Sequence, residues 1–465
     1  MNNRTIYSEQ GQTTCGEPSR TIFITSFFGF IGRNLLSTGM LDSLSKTSNS
    51  RIVIFLPDGK KELYQKLFAS NSNVIIEGIK SKKPTKLENL FSVLFSYLSD
   101  VGRWRMDIVA FRKNGQYLHV AFFWILAKLG HLKIIRRFAR WADYVLMPKN
   151  VYEQYFEKYK PDVVFATDIF RTQDIYLMRE ARYHGVFILG MVRSWDNITS
   201  KGLNRIIPDK LVVNNLIIKD QAIQYNDVLS ENIYIIGVPH YDRYITEPRA
   251  SREKLFKKLN LDPNKKMVLI SPPIRTYTYD PIAPAIIEAL EPLGAQAVVR
   301  LHLMGKSNIG TLQSTPNKLF IDVPESNPSI EQTDLITGDD YLADLLYHSD
   351  VIISHISTLT IDAAVFNKPS IFIGFDVEPK PYHQGLRRFH DMEYLQEIRK
   401  TGGVKLAESL DELVKYTNQY LINPRLDEEG RKKILQEYCW KLDAQSSQRL
   451  TDVLSSLLTN IRKLV

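Results

Sequence analysis

A chain of 465 residues exceeds what one ordinary hydrophobic core organises, and 44% hydrophobic with 24% charged residues excludes a disordered protein. Two cysteines at opposite ends, Cys15 and Cys439, exclude a disulfide framework or a cysteine metal site, and the polar run Met1–Arg20 lacks the apolar core of a signal peptide, so the sequence reads as cytoplasmic. The formal charge of +9 is confined to residues 82–150, which hold thirteen Lys/Arg against four Asp/Glu, and no nucleic-acid-binding module accompanies it.

In chain order, residues 21–26 form a short apolar β-type run that breaks into Phe27-Phe28-Gly29-Phe30-Ile31-Gly32-Arg33-Asn34, after which Leu35–Ser45 has helical spacing. Strand, glycine loop and helix open a βαβ unit. Further strands are predicted at 51–56 and 73–77. The basic stretch then interrupts, with helices predicted over 87–100 and 117–144. The apolar core of the second, Phe122–Leu126, is too short to span a bilayer. Strands resume at 161–166, 186–191, 210–213 and 232–237. A polar, lysine-rich stretch from Glu247 to Lys266 marks a boundary. A second series follows at 267–271, 296–300, 319–323, 351–354 and 370–374, and the chain ends in helical pattern from Leu406. Continuous β-branched runs alternating with helices predict an α/β fold, two Rossmann-like domains whose parallel sheets face a cleft.

Chemistry-bearing residues gather at predicted strand ends, where open α/β sheets bind ligands. The string Ser349-Asp350-Val-Ile-Ile-Ser354-His355-Ile-Ser357-Thr358-Leu-Thr360-Ile-Asp362 turns from a strand into a helix through hydroxyl-bearing residues. Free N–H groups and the hydroxyls of Ser357 and Thr358 suit a phosphate, although a serine there can simply cap the helix. Asp362, one turn on, is placed to accept ribose hydroxyls. Arg300 and His302 end another strand, and Ser271 with Arg275 a third; a guanidinium forks onto phosphate oxygens. Tyr341 lies in the helix before the hydroxyl string. In the first half, Trp195-Asp196-Asn197 follows a strand, and a carboxylate beside tryptophan is a candidate general base, against the plainer reading of an Asx-turn.

Read in order, these strings resemble the CDP-glycerol glycerophosphotransferases and related GT-B glycosyltransferases of bacterial surface polysaccharides. The Trp-His-Gly loop of that family is matched by Trp195-Asp196-Asn197, its Gly-x-Pro-Arg-x-Asp element by Gly237-Val-Pro239-His240-Tyr241-Asp242, and its Pro-Thr-aromatic-Arg strand end by Pro272-Pro273-Ile274-Arg275. Its Arg-x-His element is matched by Arg300-Leu301-His302, and its hydroxyl string ending in Lys-Pro by Ser349–Pro369. The resemblance implies a GT-B-like fold: a polar tail (1–20), an acceptor domain (21–246) with a basic helical insertion (82–150), a nucleotide-donor domain (247–405), and closing helices (406–465) that cross back to the first domain.

It also implies a cytoplasmic transferase, peripheral at the inner face of the plasma membrane, that needs neither metal nor cofactor. Its partners would be a nucleotide-sugar donor and a saccharide or lipid-linked acceptor; nucleic acid is not among them. The basic stretch 82–150 reads on its own residues either as a solvated helical insertion covering one sheet or as a contact with an anionic membrane surface. The donor side would comprise Ser271, Arg275, Arg300, His302, Tyr341, Ser354, His355, Ser357, Thr358 and Asp362, with Asp196 and His302 catalytic. Gly29, Phe30, Arg33, Trp195 and Asn197 would face the acceptor. The family's histidine is here Asp196, and inverting sugar transferases commonly use a carboxylate as base, which favours glycosyl transfer. Polyol-phosphate transfer, a sugar-nucleotide epimerase and a non-catalytic nucleotide-binding scaffold are the alternatives.

Overall fold

The computed structural model describes residues 20–47, 50–80, 82–273, 281–302, 309, 312–323 and 339–464. Arg275 and all but the last residue of the 1–20 tail lie outside them. Seven parallel strands form the first sheet: β1 (Arg20–Thr25), β2 (Ser50–Pro57), β3 (Val74–Ile79), β4 (Val163–Ala166), β5 (Phe187–Met191), β6 (Lys210–Val213) and β7 (Ile233–Ile235), in the order β3-β2-β1-β4-β5-β6-β7. Six more form the second: β8 (Met267–Ser271), β9 (Gln296–Arg300), β10 (Leu319–Asp322), β11 (Val351–Ser354), β12 (Ser370–Ile373) and β13 (Val404–Ala407), in the order β10-β9-β8-β11-β12-β13. Each sheet reverses its order once, between β1 and β4 and between β8 and β11, as doubly wound folds do.

The continuous apolar runs are explained by burial on both faces. Alternate residues of β1 point to opposite sides: Ile22 and Ile24 join one core with Ile52 and Phe165, and Phe23 joins another with Phe55 and Val164. The helices that bear on the site are α1 (Met40–Thr47), α2 (Lys86–Tyr97), α3 (Gly102–Lys113), α4 (Tyr117–Gly130), α5 (Lys133–Leu146), α6 (Thr172–Tyr183), α7 (Asn197–Lys201), α8 (Pro239–Thr246), α9 (Asp339–His348), α10 (Leu359–Val365) and α11 (Ser446–Leu464). The last of these lays Leu450, Leu454, Leu457 and Leu458 into the first sheet's core, so the C-terminal segment closes the first domain.

The element Gly237–Asp242 makes that closure. Gly237 adopts φ +84°, and a Cβ there would meet Ser446 Oγ at 2.5 Å, so glycine is required twice over. Pro239 starts α8, where a missing N–H costs nothing. Asp242 then accepts the N–H groups of Ser446 (3.2 Å) and Ser447 (2.7 Å) at the start of α11.

The basic insertion is four helices rather than the two expected. The Thr85-x-x-Glu88 spacing builds a reciprocal cap on α2: Glu88 N–H donates to Thr85 Oγ1 at 3.2 Å and Thr85 N–H to Glu88 Oε2 at 2.6 Å. The predicted helix over 117–144 breaks into α4 and α5, bent by 102° at Gly130–Leu132. Gly130 sits so close to Leu98 that a Cβ would meet its carbonyl oxygen at 1.8 Å. The insertion's charge also divides. Arg136 (2.5 Å) and Arg140 (2.7 Å) both clamp Asp227 and are largely buried, whereas Lys113, Lys128, Lys133 and Arg137 stay exposed. Strand β13 was not foreseen, because Val-Lys-Leu-Ala reads equally as the start of the helical tail.

Candidate functional site

Two adjoining cavities lie where the C-terminal edges of the two sheets face each other. The larger, 460 Å³, belongs to the second domain and is lined by Ser271, His302, His355, Ser357, Gln384, Arg388 and neighbours. The smaller, 280 Å³, lies between the domains: Phe30, Arg33, Arg193, Trp195, Asp196 and His240 come from the first, and His302, Ser357, Thr358 and Asp362 from the second. His302, Ile356 and Ser357 border both, so one ligand can run from one cavity into the other.

The strand-end string is arranged as its composition suggests, with one difference. The chain leaves β11 at Ser354 and does not enter α10 until Leu359, and Ser357 Oγ accepts the Leu359 N–H at 3.1 Å. The local cap and the hydroxyl facing the cavity are therefore the same atom. Thr358 is exposed toward the inter-domain cavity. His302 is held uncharged, since burial and then the Arg300 charge lower its pKa. Its ring can thus donate one N–H while accepting at the other nitrogen.

Not every residue expected on the donor side reaches it. Arg300 is ion-paired with Asp322, and its guanidinium lies 5.6 Å from the Tyr341 ring centre. Neither Arg300 nor Tyr341 is among the described residues that line these two cavities; the two brace β9, β10 and α9. Ser354 is buried behind the cavity wall, its Oγ without a hydrogen-bond partner. Asp362 lines the inter-domain cavity and also reaches the first domain: Oδ1 lies 3.5 Å from His240 Nε2, and the Tyr241 hydroxyl bonds the carboxylate.

On the acceptor side, Trp195 is wedged edge-on against Tyr394 (5.0 Å) and Tyr438 (5.3 Å), which fixes the loop after β5. Asp196 follows at the cavity wall, accepting the hydroxyls of Ser194 (2.5 Å) and Ser200 (3.2 Å). Phe30 and Arg33 line the cavity, with the guanidinium 5.0 Å over the ring. Gly29 begins the short turn that presents them, and Asn197 is buried in α7 behind Asp196.

The sequence reading gave no site role to the loop after β12, whose Gln384, Leu386, Arg388 and Phe389 wall the larger cavity, or to Asn214 in the smaller, and it named Tyr241 only within the Gly237–Asp242 element. Asn214 directly follows β6, and that position was its available signal; Gln384–Phe389 lie far along the connection after β12, where no such signal marks them. Among the described residues, one trio could hold a metal ion by distance, Glu153, Glu180 and His184. It lies where α6 ends ahead of β5, at the edge of the sheet opposite the cleft.

Residues 197–456, more than half of the chain, match the model of the CDP-glycerol:poly(glycerophosphate) glycerophosphotransferase family. The chain belongs to this family. It is 26% identical over 182 residues to the teichoic acid glycerol-phosphate primase of Bacillus spizizenii, covering 39% of this chain and 44% of that protein. It is 27% identical over 162 residues to the teichoic acid ribitol-phosphate polymerase TarK of Staphylococcus aureus, covering 32% and 29%. The matches span less than half the length of either relative.

Solved structures share the fold over nearly the whole chain. UDP-GlcNAc 2-epimerase from Neisseria meningitidis gives a TM-score of 0.56 at 13% identity, covering 94% of this chain and all of that one. The wall teichoic acid polymerase TagF gives 0.52 at 12% identity, covering 97% and 91%. The fold is thus of the two-domain α/β type foreseen.

Proposed function

We propose that this transferase moves a sugar from a nucleotide-activated donor to an acceptor hydroxyl in the making of a bacterial cell-envelope polymer or glycolipid. The observation that carries the reading is the cavity in which Asp196 of the first domain meets His302, Ser357 and Thr358 of the second. The nucleotide occupies the larger cavity. Its phosphates meet the Ser357 and Thr358 hydroxyls and the His302 N–H, and these neutral donors stabilise the leaving charge without a bound metal. Asp196 presents a carboxylate to the acceptor hydroxyl.

A second reading, transfer of glycerol phosphate from a CDP-activated donor, is favoured by the family match over residues 197–456. One experiment separates the two: UDP-, GDP-, CDP- and dTDP-sugars and CDP-glycerol are incubated with the purified protein, with and without lipid-linked saccharide acceptors. Product that needs both substrates supports transfer, and the donor consumed chooses the reading. Conversion of donor alone marks an epimerase, and nucleotide binding without product marks a scaffold; either overturns the proposal. Asp196→Asn is expected to bind donor but lose turnover.

The acceptor is proposed to arrive from an anionic membrane surface. Helices α4 and α5 expose Leu118, Phe122, Trp124, Ile134, Phe138 and Trp141 alongside Lys128, Lys133 and Arg137. Such a mixture suits the headgroup boundary of an anionic leaflet. Among the described residues no single helix is long and apolar enough to cross a membrane. Co-sedimentation with phosphatidylglycerol vesicles is expected to fall with added salt and in a Phe138→Glu/Trp141→Glu variant; salt-insensitive or absent binding overturns this part.

A further inference from the structure

We propose that Glu153, Glu180 and His184 hold a divalent transition-metal ion, zinc by the chemistry of the set, at the edge of the first sheet opposite the cleft. Local sequence brings the three together. Glu180 and His184 stand four residues apart at the end of α6 and so share one face of that helix. Glu153 opens the helix Glu153–Tyr159, and the N–H of Tyr152 just before it donates to Glu180 Oε2 at 2.7 Å. One ligand atom from each of the three residues lies within 4.8 Å of those of the other two.

The buried carboxylate is what points to a cation. Glu180 is 0% exposed, and among the described residues its Oε1 has no hydrogen-bond partner. A glutamine would accept the Tyr152 N–H equally well and carry no charge. A glutamate instead brings a carboxylate into the interior, beside a second acid that repels it. A cation held between the two acids relieves both penalties.

The imidazole narrows the choice of ion. His184 Nε2 lies 3.4 Å from Glu153 Oε2. Two ligands each about 2.1 Å from a tetrahedral zinc stand about 3.4 Å apart. The ring is held in that direction by Phe156, stacked at 4.9 Å, and by Tyr183, edge-on at 5.2 Å. Magnesium and calcium favour sets made of oxygen alone, whereas imidazole with carboxylate suits zinc. Glu180 is the inner anchor, and the partly exposed Glu153 and His184 give the ion its path from solvent and leave room for water to complete its shell. The site joins the end of α6 to the helix that follows the basic insertion. Its effect falls on the stability of that junction, because the cleft lies at the other edge of the sheet.

The test uses the full chain, stripped with a chelator and dialysed at about pH 7.5. It is titrated calorimetrically with zinc chloride and with magnesium chloride, and melted with and without each. One zinc per chain is expected, with Kd of about 1 μM or tighter, and saturating zinc is expected to raise the midpoint by about 2 °C or more. Magnesium is expected to bind at least about 100-fold more weakly. Glu153→Gln and His184→Ala change partly exposed positions and are expected to melt within about 2 °C of the zinc-free parent. Each is expected to bind zinc about 30-fold more weakly or worse and to lose the zinc-dependent rise; should one fold poorly, the other carries the test. Zinc held equally by the parent and His184→Ala would place it on other side chains. No zinc binding by the parent at about 1 mM would leave an ordinary His184–Glu153 ion pair beside a packed glutamate. Either result overturns the proposal, as does magnesium bound as tightly as zinc, and none of the three bears on the transfer reading.

Discussion

In the first sheet the strand order reverses between β1 and β4, and the crevice there is filled. Thr25 Oγ1 donates to Asp174, Thr167 N–H donates to Thr25 Oγ1 at 2.8 Å, and Arg193 pairs with Asp168 at 3.1 Å. In the second sheet the reversal lies between β8 and β11, where Ser271 and Ser354 stand side by side, and the crevice beyond them opens into the 460 Å³ cavity. Topology offers the same ligand position twice. Side chains close one and leave the other to a ligand. The two also titrate in opposite senses: burial and then the Asp168 charge push Asp174 up to about 7, whereas burial pushes His390, beside the open crevice, down to about 4.

The largest expected effect breaks the open side. His302→Ala removes the donor proposed to meet the leaving phosphate, and kcat is expected to fall about 100- to 1,000-fold, measured under saturating donor. Asp174→Asn, on the filled side, is expected to leave kcat within about twofold. Equal losses in the two variants would mean that the filled crevice also takes part in transfer.

Next come the opposite titrations, read as stability against pH. Asp174 in the folded protein holds its proton up to about pH 7, while the unfolded chain releases it near 4, so stability is lost as pH rises through that window. His390 runs the other way: the unfolded chain binds a proton near 6.5 and the folded protein only near 4, so stability is lost as pH falls between them. The windows are worth roughly 4 kcal/mol for Asp174 and roughly 3 kcal/mol for His390. In urea melts from pH 4 to 8, the stability of Asp174→Asn relative to the parent is expected to climb with pH. That of His390→Gln, which keeps a donor for the Ile373 carbonyl (2.8 Å), is expected to climb as pH falls. Parallel curves would remove these groups as the source of the pH dependence.

This contrast also separates what the sequence discloses from what it hides. Strand ends were legible, because β-branched runs such as Val351-Ile-Ile stop abruptly at Ser354 and hydroxyls follow. The meeting of sheets at a shared cleft was legible from the repeated alternation. Partners distant along the chain were not. Arg300 reads as a phosphate ligand, and its ion pair with Asp322 on the neighbouring strand is not visible in the sequence. Asp362 reads as a ribose acceptor, and its contacts with His240 and Tyr241 of α8, from the other domain, are not visible in the sequence. The break between α4 and α5 was hidden for a similar reason: Gly130 is dictated by the Leu98 carbonyl 32 positions earlier, not by helix propensity.

The smallest expected effect compares one hydroxyl from each crevice. Thr25 and Ser354 both end the strand at which the order reverses, and both are fully buried. Thr25 Oγ1 accepts one N–H and donates to Asp174, so Thr25→Val strips partners from two buried groups and is expected to cost about 1–2 kcal/mol. It also removes a bond that favours ionised Asp174, so the loss of stability with rising pH should extend further above pH 7. Ser354 Oγ satisfies nothing within the chain, and Ser354→Ala removes a buried hydroxyl that already lacks a partner. That variant is expected to match the parent within about 0.5 kcal/mol or exceed it. Should Ser354→Ala instead weaken donor binding while stability holds, the hydroxyl belongs to the open crevice's ligand; should both variants cost the same stability, the two crevices are equally closed.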